Sequence, residues 1–264
     1  MLIPSIVHLR RIPPIYLILP LLVAGSVVRA DYADPLPLEN AILTYSADER
    51  GWAYDEVVTE YNRKGAVSKV RTTRVDPSLP WDQRDQLIST DKGPATIRQK
   101  KKYQKEREKE RRRMELGLEN RRRLRDRMNF PLSTIDFEDD ETRQYQVPLL
   151  PDEETGFPTE KIRMVVNLDP THETLQKMDA RLTEAVRHKA VAKVKDLHLT
   201  IEFTRPLPDE EGVALIKLRG QAAASVLFFP VGGEVQLERK NFRRVTPYDD
   251  RFEVEVGTAT TLDF

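Results

Sequence analysis

The chain has 264 residues, 43 Lys and Arg against 43 Asp and Glu, 39% hydrophobic residues and no Cys. That length admits one large domain or two small ones. The lack of Cys excludes a disulfide framework, covalent haem attachment and any thiolate nucleophile or metal ligand.

Residues 1–30 differ from the rest. His8, Arg10 and Arg11 put basic groups ahead of an apolar run, Ile12 to Val28, and the first acidic residue is Asp31. Val28 and Ala30 then place small residues two apart at a cleavage site, so the segment reads as a secretory signal peptide. The other reading is a membrane anchor, but the run is 17 residues long with Pro13, Pro14 and Pro20 inside or beside it. That is short for a span of about 20 residues. Removing residues 1–30 takes away three Arg and no acid, leaving 40 basic and 43 acidic residues, a net charge of −3. A dedicated nucleic-acid binder has the opposite balance.

Residues 31–50 are rich in Pro and polar residues without a clear period, and are expected as an irregular lead-in. From Trp52 a period of two sets in, with Trp52, Tyr54 and Val58 on one face and Ala53, Val57, Thr59 and Tyr61 on the other. Asn62 to Gly65 is a turn signal, and the β-branched stretch Val67 to Val75 completes a hairpin. Trp81 to Thr90 is a third strand.

Pro94 is expected to open a helix running over about 95–128, since Pro suits a first helical turn and strong helix formers follow. Residues 98–127 hold fifteen Lys or Arg and six acids in 30 positions, a local charge of +9. An unbroken helix there would be a rod of about 50 Å, with Gly117 as its soft point. Met114, Leu116, Leu118, Leu124 and Met128 give the second half a partial apolar stripe, so that half should lie on the sheet. The first half, Arg98 to Arg113, has Tyr103 as its one large apolar residue and should project into solvent.

Strands return afterwards: Leu132–Phe137, Arg143–Leu149, Lys161–Leu168, Thr174–Leu182 and a long segment, Ala190–Thr204. In the last, Leu197, Leu199, Ile201 and Phe203 face one way, and His198, Thr200 and Glu202 the other. Val213–Gly220, Ala223–Phe229, Glu234–Arg244 and Arg251–Val256 close the series, with Gly232-Gly233 as a hairpin turn. The expected fold is mainly β, with an α+β element: a curved antiparallel sheet or incomplete barrel of about ten strands, with one long basic helix inserted after the third. Short turns between successive strands demand antiparallel pairing, and so many strands must curl to bury one face. No linker interrupts residues 51–264, which are expected as one domain.

The sequence carries no recognisable chemistry. His172, His188 and His198 stand apart, without the convergent spacing of a metal site. No nucleophile elbow, phosphate loop or dinucleotide fingerprint occurs. The acidic clusters at 138–141, 152–154 and 209–211 lack the ligand spacing of a calcium loop. The expectation is a protein that is not an enzyme and uses no cofactor. Aromatics on strands, Trp52, Tyr54, Trp81, Phe203 and Phe228, are either sheet core or the lining of an apolar-ligand face.

The order of pieces resembles a set of uncharacterised bacterial secreted proteins. It runs from a Trp-x-Tyr strand through Val75-Asp76-Pro77 and Trp81 with Leu87 and Ile88 to Thr90-Asp91-Lys92-Gly93-Pro94 and a Lys/Arg-rich helix. Val165 to Pro170 and the strand ending at Phe242-Arg243 fit the same pattern. Those proteins are similar to the LolA/LolB-like carriers that move lipoproteins to the outer membrane. The resemblance implies an incomplete antiparallel barrel with helices over its apolar concave face, a periplasmic or outer-membrane-peripheral location, and a lipid or lipoprotein acyl chain as ligand.

Three functions compete on the sequence. The first is an envelope carrier or binding protein for a lipid or other apolar ligand. The second is a structural or interaction protein whose basic helix, through Lys100, Lys101, Lys102, Arg111, Arg112 and Arg113, contacts an anionic membrane surface; basic residues near such a surface contribute about 1 kcal/mol each. The third, nucleic-acid binding, has the charge but neither interleaved aromatics for stacking nor the heptads of a basic zipper, and it conflicts with secretion.

Overall fold

The computed structural model describes residues 37–116, 124–152, 156–188, 192–207, 212–226 and 229–248. Its elements in chain order are α1 (Pro37–Asp48), β1 (Trp52–Tyr61), β2 (Val67–Val75), the short helix α2 (Trp81–Arg84), β3 (Asp85–Thr90), β4 (Gly93–Pro94), α3 (Ile97–Glu115), β5 (Thr134–Glu138), β6 (Arg143–Val147), β7 (Ile162–Asp169), β8 (Thr174–Leu182), β9 (Val186–His188), β10 (Ala192–Thr204), β11 (Ala214–Val226) and β12 (Phe229–Arg244).

The strands form one twelve-stranded sheet in the order β4-β3-β2-β1-β12-β11-β10-β8-β7-β6-β5, with β9 pairing β10 off that path. Every pairing is antiparallel. The order does not return on itself, so the sheet is open. The mainly β, antiparallel architecture with a basic helix after the third strand is the one the sequence indicates. The pairing of β1 with β12 is the long-range closure, opposing Val58 to Leu237 and Glu56 to Arg239.

One face of the sheet, the inner face, carries the core. Val58, Tyr145, Val166, Met178, Ile201, Leu218, Val235 and Leu237 are buried there at alternate positions of their strands. The residues between them point outward, as the period of two requires. Helix α1 fills the trough over this face. Leu38, Ala41, Ile42 and Tyr45 recur at helical spacing and are all buried in the same core, one stripe of an amphipathic helix. Full burial of each larger side chain contributes about 1.5–3 kcal/mol. Residues 37–48 are therefore not the irregular lead-in expected for 31–50. Pro37, which makes the segment look irregular, is the first helical residue, where its missing N–H is harmless.

The basic stretch also departs from expectation. Its helix spans 19 residues, Ile97–Glu115, about 28 Å at 1.5 Å per residue, rather than running over 95–128. Residues 117–123 lie outside the described residues, and Leu124–Arg127 is a 3-10 turn. Pro94 does not open the helix; it sits in β4. The start is set two residues later by a reciprocal cap. Thr96 Oγ1 accepts from Gln99 N–H at 3.3 Å, and Gln99 Oε1 accepts from Thr96 N–H at 2.8 Å, the arrangement of a capping box.

Three further differences concern strands. The third strand begins at Asp85, because Trp81–Arg84 is a helical turn. Val213–Gly220 and Ala223–Phe229, expected as two strands, belong largely to one, β11, and the segment 190–204 gives β10 with β9 preceding it. Gly232-Gly233, expected as a hairpin turn, lies inside β12, where Gly232 opposes Ala223 and Gly233 opposes Ala222. The backbone of the neighbours comes close there: a Cβ on Gly232 would sit 2.3 Å from Ala222 O, and one on Gly233 2.4 Å from Tyr61 O. These glycines serve close packing of strands, the other use of Gly in a sheet. The expected strand Arg251–Val256 lies outside the described residues.

Candidate functional site

The inner face changes character from one side of the sheet to the other. Over β6–β11 it is apolar and covered by α1. Over β1–β3 and β12 it carries charged and aromatic side chains beside α3. The register sets up two rows across the strands: Arg239, Glu56, Thr73 and Leu87, then Leu237, Val58, Arg71 and Thr90. A charged residue thus occupies an inward position on three adjacent strands.

Arg239 is the most deeply placed of these, with 4% of its side chain exposed. Its Nη1–H donates to Glu49 at 3.3 Å and its Nε–H to Glu56 at 3.2 Å, and its guanidinium lies 4.3 Å from the centre of the Tyr54 ring. Tyr45 of α1 stands beside it; burial, then the Glu49 carboxylate, pushes its hydroxyl well above the ordinary value. Burial acts on Tyr54 in the same direction. Both hydroxyls therefore stay neutral at any physiological pH. A buried arginine with two carboxylates and an aromatic face is satisfied on all sides, which is the condition for holding such a charge inside a fold.

Helix α3 attaches to the sheet edge through polar groups. Arg107 Nε–H donates to the Asp85 carboxylate at 2.8 Å, its Nη2–H reaches the same oxygen, and its Nη1–H donates to Glu110 at 2.6 Å. Gln104 Nε2–H donates to the Asp85 carbonyl at 2.6 Å, and the guanidinium of Arg71 lies 5.7 Å from the centre of the Tyr103 ring. Burial pushes the Tyr103 hydroxyl up to about 12, with the Asp85 carboxylate adding to it. Residues 103, 104, 107 and 111 make one stripe of the helix. The half of the basic stretch expected to project into solvent thus docks as well, through polar side chains, while Met128 at the end of the other half is buried in the core as expected.

The expected apolar-ligand residues fall into three places. Trp52 is buried, edge-on to Phe242 at 6.2 Å and beneath Arg244 at 4.9 Å; Tyr54 shares Phe242, at 5.7 Å. Phe203 lies in the core against Tyr45 of α1, ring centres 4.9 Å apart. Trp81 is half-buried near α3, with Arg84 and Arg107 at 5.5 and 5.7 Å from its ring. Phe228 lies outside the described residues. Trp52, Tyr54 and Trp81 each have a guanidinium over the ring, a favourable cation–π placement.

The expected anionic-surface residues Lys100, Lys101, Lys102, Arg112 and Arg113 are exposed along α3. Arg111 is half-buried, donating to Glu108 at 2.9 Å and Glu115 at 2.6 Å. Arg112 also donates to Glu108, at 2.9 Å.

Sequence reasoning passed over Glu49, Glu56, Arg71, Asp85, Arg107 and Arg239. A signal for two of them exists. In β1 the inward series Trp52, Tyr54, Val58 is broken by Glu56, and in β12 the inward series Val235, Leu237 is broken by Arg239. Opposite charges at inward positions of two strands are a pairing signal, though one that needs the β1–β12 partnership to be known.

On the outer face, His198 Nε2 lies 2.8 Å from Asp179 Oδ2, and the Thr200 hydroxyl donates to the same oxygen at 3.0 Å. Among the described residues no group of three or more His, Asp or Glu could hold a metal ion, and no helix is long and apolar enough to cross a membrane.

No family model matches the chain, and no curated protein does. Among solved structures it is similar to the crystal structure of a DUF1329 family protein from Desulfovibrio piger, at 13% identity over 86% of this chain and 96% of that one, with a TM-score of 0.32. At that score the likeness lends no weight to any reading of the site.

Proposed function

We propose that the protein is a non-enzymatic bacterial envelope protein that holds an amphiphile, a lipid or a lipoprotein acyl chain, on the inner face of its open sheet beside α3. The observation that carries this reading is the split of that face. The α1 side is filled by the protein's own apolar side chains, whereas the α3 side is covered by a helix joined to the sheet through polar contacts. A cover of that kind exposes little apolar surface on opening, and its polar contacts can exchange with water. The face beneath it joins apolar Leu87 to the aromatic rings of Tyr54 and Trp81 and to arginines, a lining suited to a molecule with both apolar and charged parts. The signal-peptide reading of residues 1–30 and the resemblance to LolA/LolB-like carriers support a periplasmic or outer-membrane-peripheral place of action. Native mass spectrometry of protein purified from its own envelope tests the proposal. A bound mass that dissociates as a lipid is the expected result, and protein that stays free of lipid after incubation with envelope extract would overturn it.

A second reading rests on the exposed cations of α3. Lys100, Lys101, Lys102, Arg112 and Arg113 form a band on which an anionic membrane surface can sit. The helix has no apolar face to insert, so this contact is electrostatic and can accompany ligand exchange at a membrane.

A further inference from the structure

Arg71 is the arginine of the inner face that the protein leaves without a counter-charge. Three acids of this side of the sheet are engaged elsewhere: Asp85 by Arg107, and Glu56 and Glu49 by Arg239. No ion pair joins Arg71 to a carboxylate among the described residues, and its Nε–H is buried without an acceptor. A guanidinium has five N–H donors in a planar fork; that of Arg71 is half-buried, and leaving its buried Nε–H unpaired is costly. Arg71 and Arg239 lie on the same face in adjacent rows. One has two carboxylates; the other has a tyrosine ring and no acid.

Its surroundings are those of a headgroup subsite. Arg71 projects from β2 directly opposite Val58 of β1, and Val58 is directly opposite Leu237 of β12. Both apolar residues are buried in the core. On the other side Arg71 opposes Thr90, and Tyr103 of α3 covers the guanidinium. The cation therefore stands where the apolar part of the inner face gives way to the polar part, beside α3.

We propose that Arg71 receives the oxyanion headgroup of the bound amphiphile, with the apolar tail lying along the face beside α3. Planar N–H pairs match the oxygens of carboxylate or phosphate in a bidentate contact, and the buried Nε–H supplies one of the two donors. Tyr103 closes over the contact and shields it from water. This inference rests on the amphiphile reading above and adds to it the sign and chemistry of the headgroup.

Isothermal titration of the protein with dodecyl phosphate, dodecyl maltoside and inorganic phosphate tests it, with Arg71→Gln and Arg71→Lys as variants and near-ultraviolet circular dichroism as the check on folding. The wild type is expected to bind dodecyl phosphate at least tenfold tighter than dodecyl maltoside. Arg71→Gln should erase that preference while leaving maltoside binding in place, and Arg71→Lys should keep part of it. A preference that survives in folded Arg71→Gln would overturn the assignment to Arg71. Equal binding of both amphiphiles by the wild type would overturn the inference and leave the amphiphile reading standing. Inorganic phosphate bound as tightly as dodecyl phosphate, and lost in Arg71→Gln, would keep the oxyanion site and overturn the amphiphile reading. Binding of none of the three would overturn both.

Discussion

Arg107 and Asp85 join the basic helix to the edge of the sheet: the two N–H groups on one side of the guanidinium converge on a single carboxylate oxygen. The arginine side chain is 28% exposed and the aspartate 9%, so the pair is partly shielded and stronger than an ordinary surface contact. Its strength sets how readily α3 leaves the face it covers.

Asp85→Asn should loosen the helix selectively. The substitution removes the charge while keeping the shape, leaving Arg107 half-buried with Glu110 as its remaining acid. A loss of about 1–3 kcal/mol is expected for a charged hydrogen-bonded pair of this kind. Hydrogen exchange should speed up over residues 97–115 and stay unchanged in β10–β12. Unchanged exchange in the helix would mean that other contacts fix it.

Arg239→Met should destabilise the whole domain, because it leaves Glu49 and Glu56 facing each other without a cation. Breaking a buried pair costs about 3–5 kcal/mol. Replacing all three, as Arg239→Met with Glu49→Gln and Glu56→Gln, should cost less than the single change, since no charge is then stranded. Urea unfolding of both proteins gives the comparison; a triple variant less stable than the single one would rule out stranded charge as the cause.

These two pairs show where the sequence stops being informative. The hairpin Trp52–Val75 and the inward series of β7 and β10 are legible because a period of two with β-branched and apolar residues has one physical meaning. Helix α1 was hidden by Pro37, a residue that marks both loops and helix starts. The docking of α3 was hidden for another reason. Apolar stripes reveal which face of a helix is buried, but Gln104 and Arg107 bury themselves by finding partners, and their partner Asp85 lies 22 residues before Arg107 with nothing in its own neighbourhood to mark it. The arginine-capped rings share this property: Trp81 looks like a core residue or a ligand wall until Arg84 and Arg107 are placed over it.

Acid should weaken the outer face through Asp179. Burial pushes this carboxyl up, but the hydrogen bonds from His198 and Thr200, with Lys177 nearby, outweigh it and leave it below its ordinary 3.8. A lowered carboxyl contributes stability above its unfolded value and loses it as pH falls through the folded one. The urea midpoint should therefore hold between about pH 7 and pH 5 and decline below about pH 4. Asp179→Asn should show a shallower decline, and an identical one would assign the effect to other lowered carboxylates, of which Asp55, Asp76, Asp169 and Glu234 are examples.

Gly232→Ala should be far more damaging than Gly65→Ala. Gly232 has φ 144° and would place a methyl 2.3 Å from Ala222 O, whereas Gly65 has φ 77° and nothing within 4 Å of the added atom. The first must push two strands apart in addition to straining its own backbone, and each strained residue costs about 1–3 kcal/mol. Thermal midpoints of the two variants check the order.

Lys100→Ala, Lys101→Ala and Lys102→Ala together should abolish co-sedimentation with anionic vesicles, such as those containing phosphatidylglycerol, at low salt, and leave binding to neutral vesicles unchanged. The thermal midpoint should move little, since exposed charges away from special contacts contribute within about 0.5 kcal/mol. Retained sedimentation would move the contact elsewhere on the protein.

The hydrogen bond from Gln104 to the Asp85 carbonyl has an effect on the colony of molecules as well as on one. Asp76 N–H takes the carbonyl of Arg84, and carbonyls alternate in direction along a strand, so that of Asp85 faces the unpaired side of β3. An open sheet offers its border as a template on which another chain can be laid, the usual route to fibres and insoluble aggregate. By seating an amide on that border, and a rod of mutually repelling cations outside it, α3 keeps the sheet from growing past β4. A variant that sheds the helix would expose both the ligand face and a docking line for its own siblings, so its first symptom should be turbidity.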